Sequence, residues 1–390
     1  MIHYFDGFYP ASGGVEAYIR DIARVTSDPG LVITDAVRGL PQEEIVRAGF
    51  EVRRVGPENS SLDARPRLVN RRPFFPARFL ADVLRTRKKL GIARETRSRI
   101  LQAHGLNIPG TAFRLRLERR PGTLLRWLAD FDRIGSPKIA TVHGLLSRTS
   151  GNRFTNLERS FYGAFDHLAC VDRSLIRFIE EEWAPSWGHA CLHWCPNAVD
   201  TKFFTYADPN PGPAVHVGFV GRLERSRGID ALATLARSLP AGSDLRVAGA
   251  GNARDLRVFR DLVPPGRVKL SFNATRDDVR ALLQSVDVLF NPVLVDGISR
   301  ASLEALATGR PVAMFAGEDR HPVVPGHTGF LLERTDEAVA SWARSLPARK
   351  EELASLGLKG RDLVAREYSL DPFGQRIRDL YRHVEQGTAG

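Results

Sequence analysis

Two carboxylates at a fixed spacing are the first candidates for chemistry in this 390-residue chain. Asp296 and Glu304 lie in the stretch LVDGISRASLEALATGRPVA (294–313). Two acids in such a pattern can form an acid/base pair, a metal site or an ordinary helix surface. Ser299 is a typical helix N-cap and Gly309–Arg310–Pro311 a typical helix end, so the stretch predicts a short helix. Asp296 then precedes this helix, and Glu304 lies about one and a half turns inside it.

This spacing favours two hydroxyl-binding carboxylates over an acid/base pair. The free N–H groups of the helix N-terminus lie between the two acids and suit phosphates. An extended ligand with phosphates in the middle and a hydroxyl-rich group at each end has this shape, as a nucleoside diphosphate sugar does. One carboxylate would accept hydrogen bonds from the sugar and the other from the ribose. The donor-binding candidates in this stretch are Asp296, Gly297, Ile298, Ser299 and Glu304.

Glycines and arginines follow the neighbouring strand patterns. GRLERSRG (221–228) begins with Gly221, which lets the backbone approach a ligand, and it contains Arg222 and Arg227. Two guanidinium groups beside a helix N-terminus suit a diphosphate, although a solvated basic loop is the alternative. The next two patterns end in AGAGN, with Gly249, and SFNAT, with Asn273. Ligands of open α/β sheets bind beyond such strand ends, although G-x-G is also a common plain turn.

Strand and helix patterns alternate along the chain and must position these groups. The strand-like runs are KIATVHG (138–144), FDHLACVD (165–172), AVHVGFVG (214–221), SDLRVAGAG (243–251), GRVKLSF (266–272) and SVDVLFNP (285–292). The helical patterns between them cover 228–239, 253–263 and 275–284. Continuous apolar strands that alternate with helices indicate an α/β fold with parallel sheets covered on both faces.

The length predicts two domains. A segment dense in Pro, Asn and Gly, CPNAVDTKFFTYADPNPGP (195–213), separates the two strand–helix series. We predict a first domain at 1–200, a linker at 201–213 and a second domain at 214–370. The amphipathic pattern at 371–386 predicts a last helix that could pack on either domain, and packing on the first domain would complete it.

Composition narrows the class of protein. The chain lacks an apolar run long enough to span a bilayer, and its N-terminus lacks the pattern of a signal peptide, so we expect a cytoplasmic protein. Three cysteines make a disulfide framework improbable. HACLHWC (189–195) alternates His and Cys in a way that imitates a zinc site, but one strand cannot bring four ligands to one ion. DFD (130–132) imitates a metal-binding D-x-D motif. We expect no metal at either and no cofactor.

The positive charge is concentrated in one segment. Residues 65–133 contain 18 Lys/Arg and 5 Asp/Glu, whereas the net charge of the whole chain is +11. Arginines mixed with Phe, Leu and Trp suit an anionic membrane surface, and solvated helix faces are the alternative. Nucleic acid is not an expected partner because no recognisable nucleic-acid module occurs. Peripheral attachment to a membrane would fit transfer to a lipid-linked or cell-surface acceptor.

Two histidines and a glycine pair in the first half are further candidates. His143 follows a strand pattern in TVHG (141–144), and His104 follows another in QAHGLN (102–107). A buried core histidine is the alternative for His143. Gly13 and Gly14 follow the first strand pattern, and a simple turn is the alternative there.

These motifs, in order and spacing, resemble retaining glycosyltransferases of family four, the glycosyl transferases group 1. The second half matches through GRLERSRG, AGAGN, the pair at 296 and 304, ALATGRPVA and HTGF (327–330). The first half matches through GGVEAYIRDIA (13–23), TVHG and CPNAVDTKFF (195–204). The resemblance implies the GT-B fold, in which two Rossmann-like doubly wound domains face a cleft, with the acceptor on the first and the donor on the second.

The resemblance also implies roles for individual residues. Arg222 and Arg227 would bind the donor diphosphate and stabilise the leaving group, Glu304 would hold the ribose, and Asp296 would contact the transferred sugar. Gly14 would approach the diphosphate and His143 the reacting sugar. The acceptor-binding candidates are Gly13, Glu16, His104 and His143. The chain departs from the family with Arg for the usual Lys at 227, Asp for Glu at 296, and PNA for PNG in the linker motif.

The expected function is therefore transfer of a hexose from a UDP- or GDP-sugar, without a metal and with retained configuration. The acceptor would be a saccharide, a lipid-linked sugar or a small-molecule hydroxyl. An epimerase on the same fold is the nearest rival, whereas a phosphorylase would need a cofactor-bearing lysine near the donor motifs. A non-catalytic basic membrane-surface protein is the rival from another class, but it would not need Arg222, Arg227 and Glu304 together.

Overall fold

The computed structural model describes most of the chain. The described residues are 1–4, 13–26, 30–37, 39–45, 50–59, 88, 91–92, 100–105, 137–145, 147–148, 155–183, 191–251, 253–294, 297 and 299–387. The chain divides into two compact units. Unit 1 comprises Met1–Pro196 with Gly374–Gly390, and unit 2 comprises Asn197–Phe373.

Unit 1 is built on an eight-stranded sheet. Its strands are β1 (Ile2–Tyr4), β2 (Leu31–Val37), β3 (Glu43–Ile45), β4 (Glu51–Asn59), β5 (Leu101–His104), β6 (Lys138–Val142), β7 (His167–Cys170) and β8 (Cys191–Trp194). The order across the sheet is β3-β4-β2-β1-β5-β6-β7-β8. Only β3 pairs antiparallel with its neighbour among the described strands. The described helices that accompany these strands are α1 (Gly14–Val25), α2 (Thr155–Tyr162) and α3 (Arg173–Glu182).

Unit 2 is built on a six-stranded sheet that is parallel throughout. Its strands are β9 (His216–Arg222), β10 (Asp244–Ala250), β11 (Val268–Phe272), β12 (Val288–Asn291), β13 (Val312–Phe315) and β14 (Gly329–Leu332). The order is β11-β10-β9-β12-β13-β14. Its helices are α4 (Ile229–Ser238), α5 (Ala253–Leu262), α6 (Arg276–Ser285), α7 (Arg300–Ala307), α8 (Asp336–Ser345) and α9 (Lys350–Glu367). The last helix of the chain, α10 (Leu370–Gly387), begins within unit 2 and continues into unit 1.

The hydrophobic pattern explains these elements. Helix α4 buries Ile229, Leu232, Ala233 and Ala236, a spacing that forms one apolar stripe against the sheet. Helix α6 begins with a complete capping box, in which Thr275 and Asp278 each bond the backbone of the other. The six strand runs, the helical patterns at 228–239, 253–263, 275–284 and 371–386 and the short helix after Ser299 are all confirmed, with ends shifted by a few residues. The α/β fold of two doubly wound, Rossmann-like sheets is confirmed as well.

Among the described residues, no helix is both long enough and apolar enough to cross a bilayer. Most of the basic segment 65–133 lies outside the described residues, and so does the DFD motif at 130–132. Its proposed contact with a membrane surface therefore stays a prediction.

Candidate functional site

The strand order of unit 2 identifies where a ligand would bind. Strands β9 and β12 are neighbours, although two other strands lie between them in the chain. On one side of this pair the order runs back through β10 and β11, and on the other it runs forward through β13 and β14. Ligands of open α/β sheets bind beyond the carboxyl ends of the strands at such a switch point. The loops that begin there are 222–228, which contains both predicted arginines, and 292–299, of which residues 292–294, 297 and 299 are described.

The loop after β9 presents two arginines. Arg222 is the last residue of the strand, and its Nη1 lies 2.9 Å from Oε1 of Glu224, in an ion pair that is partly open to solvent. Arg227 closes a single 3₁₀ turn, Arg225–Arg227, directly before helix α4, and its side chain is half-buried. The loop therefore brings positive charge to the N-terminus of a helix, where an anion is already favoured by the backbone.

Gly228 fixes how closely the two loops approach each other. Its backbone is left-handed, with φ of 77°, and a Cβ atom here would lie 2.7 Å from Cβ of Pro292. Only glycine fits both the conformation and the space. The arginine loop and the start of loop 292–299 consequently pack directly against each other at the switch point.

Helix α7 begins at this point, and the side chain of its N-cap residue makes no capping hydrogen bond. Ser299 occupies the N-cap position as predicted, but its hydroxyl accepts no hydrogen bond from the helix. The expected side-chain cap is therefore absent, whereas the predicted helix and its end before Gly309 are confirmed. A buried bond of 3.0 Å from Asn291 Nδ2 to Ser302 Oγ fastens the first turn to the end of β12. Glu304 is the fifth residue of the helix and is half-buried.

Two of the predicted donor contacts cannot be placed. Asp296 and Ile298 lie outside the described residues, while Gly297 between them is described and half-buried. The spacing of the two carboxylates, Asp296 and Glu304, consequently remains a prediction.

The ends of β10 and β11 continue the same edge of the sheet. The N–H of Leu223 donates to the carbonyl of Ala250 (2.9 Å), and the N–H of Asn273 donates to the carbonyl of Gly249 (2.8 Å). Asn273 is exposed and has a left-handed backbone, with φ of 57°. Gly221 and Gly249 are paired in the sheet. From β11 to β12 the edge covers about 14 Å, at about 4.8 Å per strand, which is room for an extended ligand.

Unit 1 has a switch point of its own, between β1 and β5. Helix α1 begins there after Gly13, which caps it through backbone only, and Gly14 is its first residue. Glu16 lies in the first turn and is buried. His104, the last residue of β5, is fully buried, and its Nε2 lies 3.1 Å from Nδ1 of His3 on β1. This edge is therefore lined with buried polar side chains.

His143 lies beside this pair, directly after β6. Its ring packs edge-on against Tyr18, with centroids 5.1 Å apart, and lies tilted 5.9 Å from the ring of His104. Burial lowers the pKa of His143 from 6.5 to about 3, so the ring is neutral at physiological pH. The pKa of His104 is lowered too, by burial and then by His3 and His143. Within the described part of the chain, Nε2 of His143 is buried without a hydrogen-bond partner.

The described part of the alternating motif HACLHWC forms the strand at one edge of the unit 1 sheet. Cys191–Trp194 make up β8, where Cys191 is exposed and Nε2 of His193 lies 3.1 Å from Nδ1 of His167 on β7. His189 lies outside the described residues. In the part of the chain that the structure describes, no group of three or more His, Cys, Asp or Glu side chains has the arrangement to hold a metal ion.

Four residues at these edges escape sequence reasoning. Glu224 lies within GRLERSRG and Asn291 within SVDVLFNP, but these patterns assign them no role, and their partners become visible only in the fold. Tyr18 looks like any apolar helix position, although its hydroxyl donates to the carbonyl of Cys195 (3.0 Å). His3 carried a usable signal, because a histidine in the short strand IHY is unusual for a buried parallel strand.

Comparison with known proteins agrees with this geometry. Residues 214–347 match the model of the family described as Glycosyl transferases group 1. This range lies within unit 2, and the match confirms the resemblance that the motifs of this half indicate. The chain is 23% identical over 222 residues to alpha-maltose-1-phosphate synthase of Mycolicibacterium smegmatis, covering 50% of this chain and 57% of that protein. It is 25% identical over 255 residues to 2-deoxystreptamine glucosyltransferase of Streptomyces kanamyceticus, covering 63% of each. The matches thus span from about half to less than two thirds of these relatives.

Solved structures resemble the whole chain. Sucrose-phosphate synthase from Thermosynechococcus elongatus superposes with a TM-score of 0.74 at 16% identity, covering 99% of both chains. The Anabaena protein HepE, solved in complex with UDP and glucose, superposes with a TM-score of 0.68 at 16% identity, covering 98% of this chain and 99% of that one. At this level of identity the likeness establishes the fold, which is GT-B.

Proposed function

We propose that this chain is a glycosyltransferase that takes a sugar from a nucleoside diphosphate sugar bound at the carboxyl edge of the unit 2 sheet. The observation that carries the proposal is the switch point between β9 and β12. Three features meet there: two arginines, Gly228 at a tight contact between two loops, and the N-terminus of α7, where the Ser299 hydroxyl accepts no hydrogen bond from the helix. The family match over residues 214–347 supports the same assignment.

In this proposal the diphosphate lies between the arginine loop and the start of helix α7. Breaking the bond between the sugar and the diphosphate puts extra negative charge on the phosphate oxygens. Arg222 and Arg227 stabilise that charge through charge-assisted hydrogen bonds, and backbone N–H groups at the start of α7 add to it. Because these donors are already in place on rigid elements, little reorganisation is needed when the charge develops.

Carboxylates hold the two hydroxyl-rich ends of the donor. We assign the ribose hydroxyls to Glu304, which is half-buried in α7 and about 7.5 Å along the helix axis from Ser299 at about 1.5 Å per residue. Asp296 contacts the transferred sugar. It replaces the longer Glu that is usual in the family, so the sugar must approach more closely or be a different one.

The acceptor is assigned to the carboxyl edge of unit 1. His143, which we assign to the reacting sugar as well as to the acceptor, is neutral at physiological pH and can accept or donate a hydrogen bond to a sugar hydroxyl without adding charge. Gly13 and Gly14 leave the N-terminus of α1 open, and Glu16 and His104 are buried close by. Acceptors consistent with this edge are neutral hydroxyl compounds: a saccharide, a lipid-linked sugar or a small molecule.

Retention of configuration and independence from metal belong to the proposal as well. Two arginines can neutralise the diphosphate in place of a metal ion. A proton NMR time course of the product follows the anomeric configuration, and an inverted product would exclude retention. Full activity in EDTA is expected, and its loss would exclude independence from metal.

The donor site is tested first by thermal shift with UDP, GDP, ADP and dTDP. We expect UDP to stabilise the wild type, since HepE, which shares the fold, was solved with UDP. Glu304→Ala should abolish the shift, whereas Glu337→Ala, on an exposed helix surface of the same unit, should keep it. The proposal fails if no nucleoside diphosphate shifts the wild type, and the ribose assignment fails if Glu304→Ala responds like the wild type.

A further inference from the structure

The edge of unit 1 contains a histidine that no motif assigns. His3 lies on β1 and is fully buried, and its Nδ1 lies 3.1 Å from Nε2 of His104 on the neighbouring strand β5. The two rings are tilted by 40° with centroids 5.3 Å apart. One of these two nitrogens must carry the proton and the other must accept it, so the bond couples the tautomers of the two rings.

His104 connects this bond to the candidate acceptor site. Its ring lies 5.9 Å from that of His143 and 6.1 Å from that of Tyr18. Tyr18 in turn packs edge-on against His143 and is held by its own hydrogen bond to the carbonyl of Cys195. His143 therefore lies against two rings, and each of these rings makes a hydrogen bond to another residue.

His143 itself needs such support. Among the described residues its buried Nε2 has no hydrogen-bond partner, and two rings pack against the side chain. A buried nitrogen left open in this way is costly to the fold, and it is typical of groups that serve a ligand or a reaction. Rotation of the His104 ring would remove one of the two surfaces against which His143 packs.

We propose that His3 is a positioning residue: its hydrogen bond fixes the plane and tautomer of His104, and His104 and Tyr18 together orient His143 for transfer. The inference rests on the proposed function, because it assigns His143 to the reacting sugar. His3 touches neither donor nor acceptor in this proposal and acts only through His104.

The same unit contains a matched control. His167 on β7 and His193 on β8 form a second pair, with nitrogens 3.1 Å apart, centroids 5.3 Å apart and a tilt of 38°. This pair joins two neighbouring parallel strands just as His3 and His104 do. Its further ring neighbour is His383 of helix α10, and no ring contact to His143 occurs among the described residues. Breaking it removes a bond of the same geometry, part-buried instead of buried, away from the candidate site.

The experiment compares His3→Leu, His3→Asn and His167→Leu. Leu keeps bulk but removes the bond, whereas Asn places an amide atom near the position of Nδ1 and can keep it. With UDP-glucose as donor and water as acceptor, we expect His3→Leu to lower kcat about tenfold at unchanged KM. His3→Asn should stay within about twofold of the wild type, and His167→Leu should do the same. If His3 has a purely structural role, His3→Leu and His167→Leu should lower kcat by the same factor, and that result would overturn the proposal.

A second readout does not depend on donor turnover. Side-chain ¹⁵N NMR of histidine-labelled protein reports the tautomer of each ring. We expect one fixed tautomer for His104 in the wild type and in His3→Asn, and mixed tautomers with a shifted His143 signal in His3→Leu. An unchanged His143 signal would overturn the inference. If His3→Leu does not fold, His3→Gln replaces it, because the amide of Gln reaches the position of Nε2 instead of Nδ1. Equal kcat values and equal His143 signals in His3→Gln and His3→Asn would then overturn the inference.

The two levels of failure can be told apart. If the wild type neither binds UDP nor turns over UDP-glucose, the proposed function fails, while the NMR comparison still decides whether His3 orients His143. If the wild type is active and His3→Leu keeps its kcat, the function stands and the inference falls.

Discussion

The two sheets of this protein share a switch-point topology but line it with opposite chemistry. In unit 2 the edge between β9 and β12 carries Arg222 and Arg227, a glycine loop and the start of α7, where the Ser299 side chain accepts no helix N–H. In unit 1 the edge between β1 and β5 carries buried, hydrogen-bonded histidines and a tyrosine. One edge offers fixed positive charge that is partly open to solvent, and the other offers neutral polar groups in a dry setting.

Under the proposed function, this difference assigns a different substrate to each edge. A diphosphate needs cations and N–H donors, because its charge must be balanced in the ground state and more so as the leaving group forms. A sugar hydroxyl needs neutral partners that accept and donate in a fixed direction. Burial that lowers the pKa of His143 to about 3 keeps such a partner neutral. The predictions that follow test this division of chemistry, beginning with the largest expected effect.

Removing a cation from the unit 2 edge should affect the reaction most. Arg222→Ala or Arg227→Ala is expected to lower kcat/KM about tenfold to a hundredfold, at about 1.5–3 kcal/mol per charge-assisted hydrogen bond. Arg225→Ala, an exposed position in the same 3₁₀ turn, should change it less than twofold. Steady-state kinetics with UDP-glucose measure all three. Equal losses at 225 and 227 would mean that only the general charge of the loop matters.

Acid should weaken unit 1 through histidines whose pKa values are lowered in the folded state. Burial lowers the pKa of His143 to about 3 and that of His193 to about 4, so the folded state takes up fewer protons than the unfolded state once the pH falls below about 6.5. Stability is therefore full above that pH and falls steadily toward the folded-state pKa. At pH 5 His143 alone should cost up to about 2 kcal/mol, at about 1.4 kcal/mol per pH unit.

The measurement is the melting temperature of unit 1, followed through signals from residues of that unit, between pH 7.5 and 4.5. His143→Asn should make the melting temperature depend less on pH, whereas His327→Asn, at an exposed position of unit 2, should leave that dependence unchanged. If His143→Asn keeps the full acid sensitivity, this ring is not the buried neutral group that the comparison requires.

Glu224 should compete with the donor for Arg222. Their ion pair of 2.9 Å is partly exposed, and such pairs contribute at most about 1 kcal/mol. Glu224→Gln is therefore expected to tighten UDP binding up to about fivefold, and added salt should reduce the difference. Glu337→Gln breaks another exposed ion pair, with Arg344, and serves as the control in the same titration. Weaker binding by Glu224→Gln would instead show that Glu224 orients Arg222.

Removing the Ser299 hydroxyl at the N-cap of α7 should cost the fold almost nothing. Ser299→Ala is expected to change the free energy of unfolding by a few tenths of a kcal/mol at most, because the hydroxyl bonds no helix N–H. Thr275→Ala, which removes the working cap of α6, should cost about 1 kcal/mol. Chemical denaturation of both variants measures the contrast. Equal losses would show that Ser299 caps its helix and that the N-terminus of α7 is already satisfied.

The elements and the unit 2 edge could be read from the sequence for a physical reason. Buried parallel strands appear as continuous apolar runs such as AVHVGFV, and the residues that follow them must lie at one edge of the sheet. Arg222, Arg227 and Ser299 are found in that way, from local pattern alone. The fold confirms where they lie, and their roles remain to be measured.

The remainder depends on which strands become neighbours. His3 and His104 are 101 residues apart, and only the pairing of β1 with β5 brings them together. Asn291 and Ser302 look unrelated until α7 folds back on β12. The unused hydroxyl of Ser299 is likewise not visible in the sequence, because the residue type alone predicts a working cap.

A crystal structure of this chain with UDP is the most direct test of the donor site. The diphosphate should lie within hydrogen-bonding distance of Arg222, Arg227 and the first N–H groups of α7, with the ribose at Glu304. UDP bound away from the switch point between β9 and β12, or crystals that take up none at millimolar concentration, would contradict the assignment.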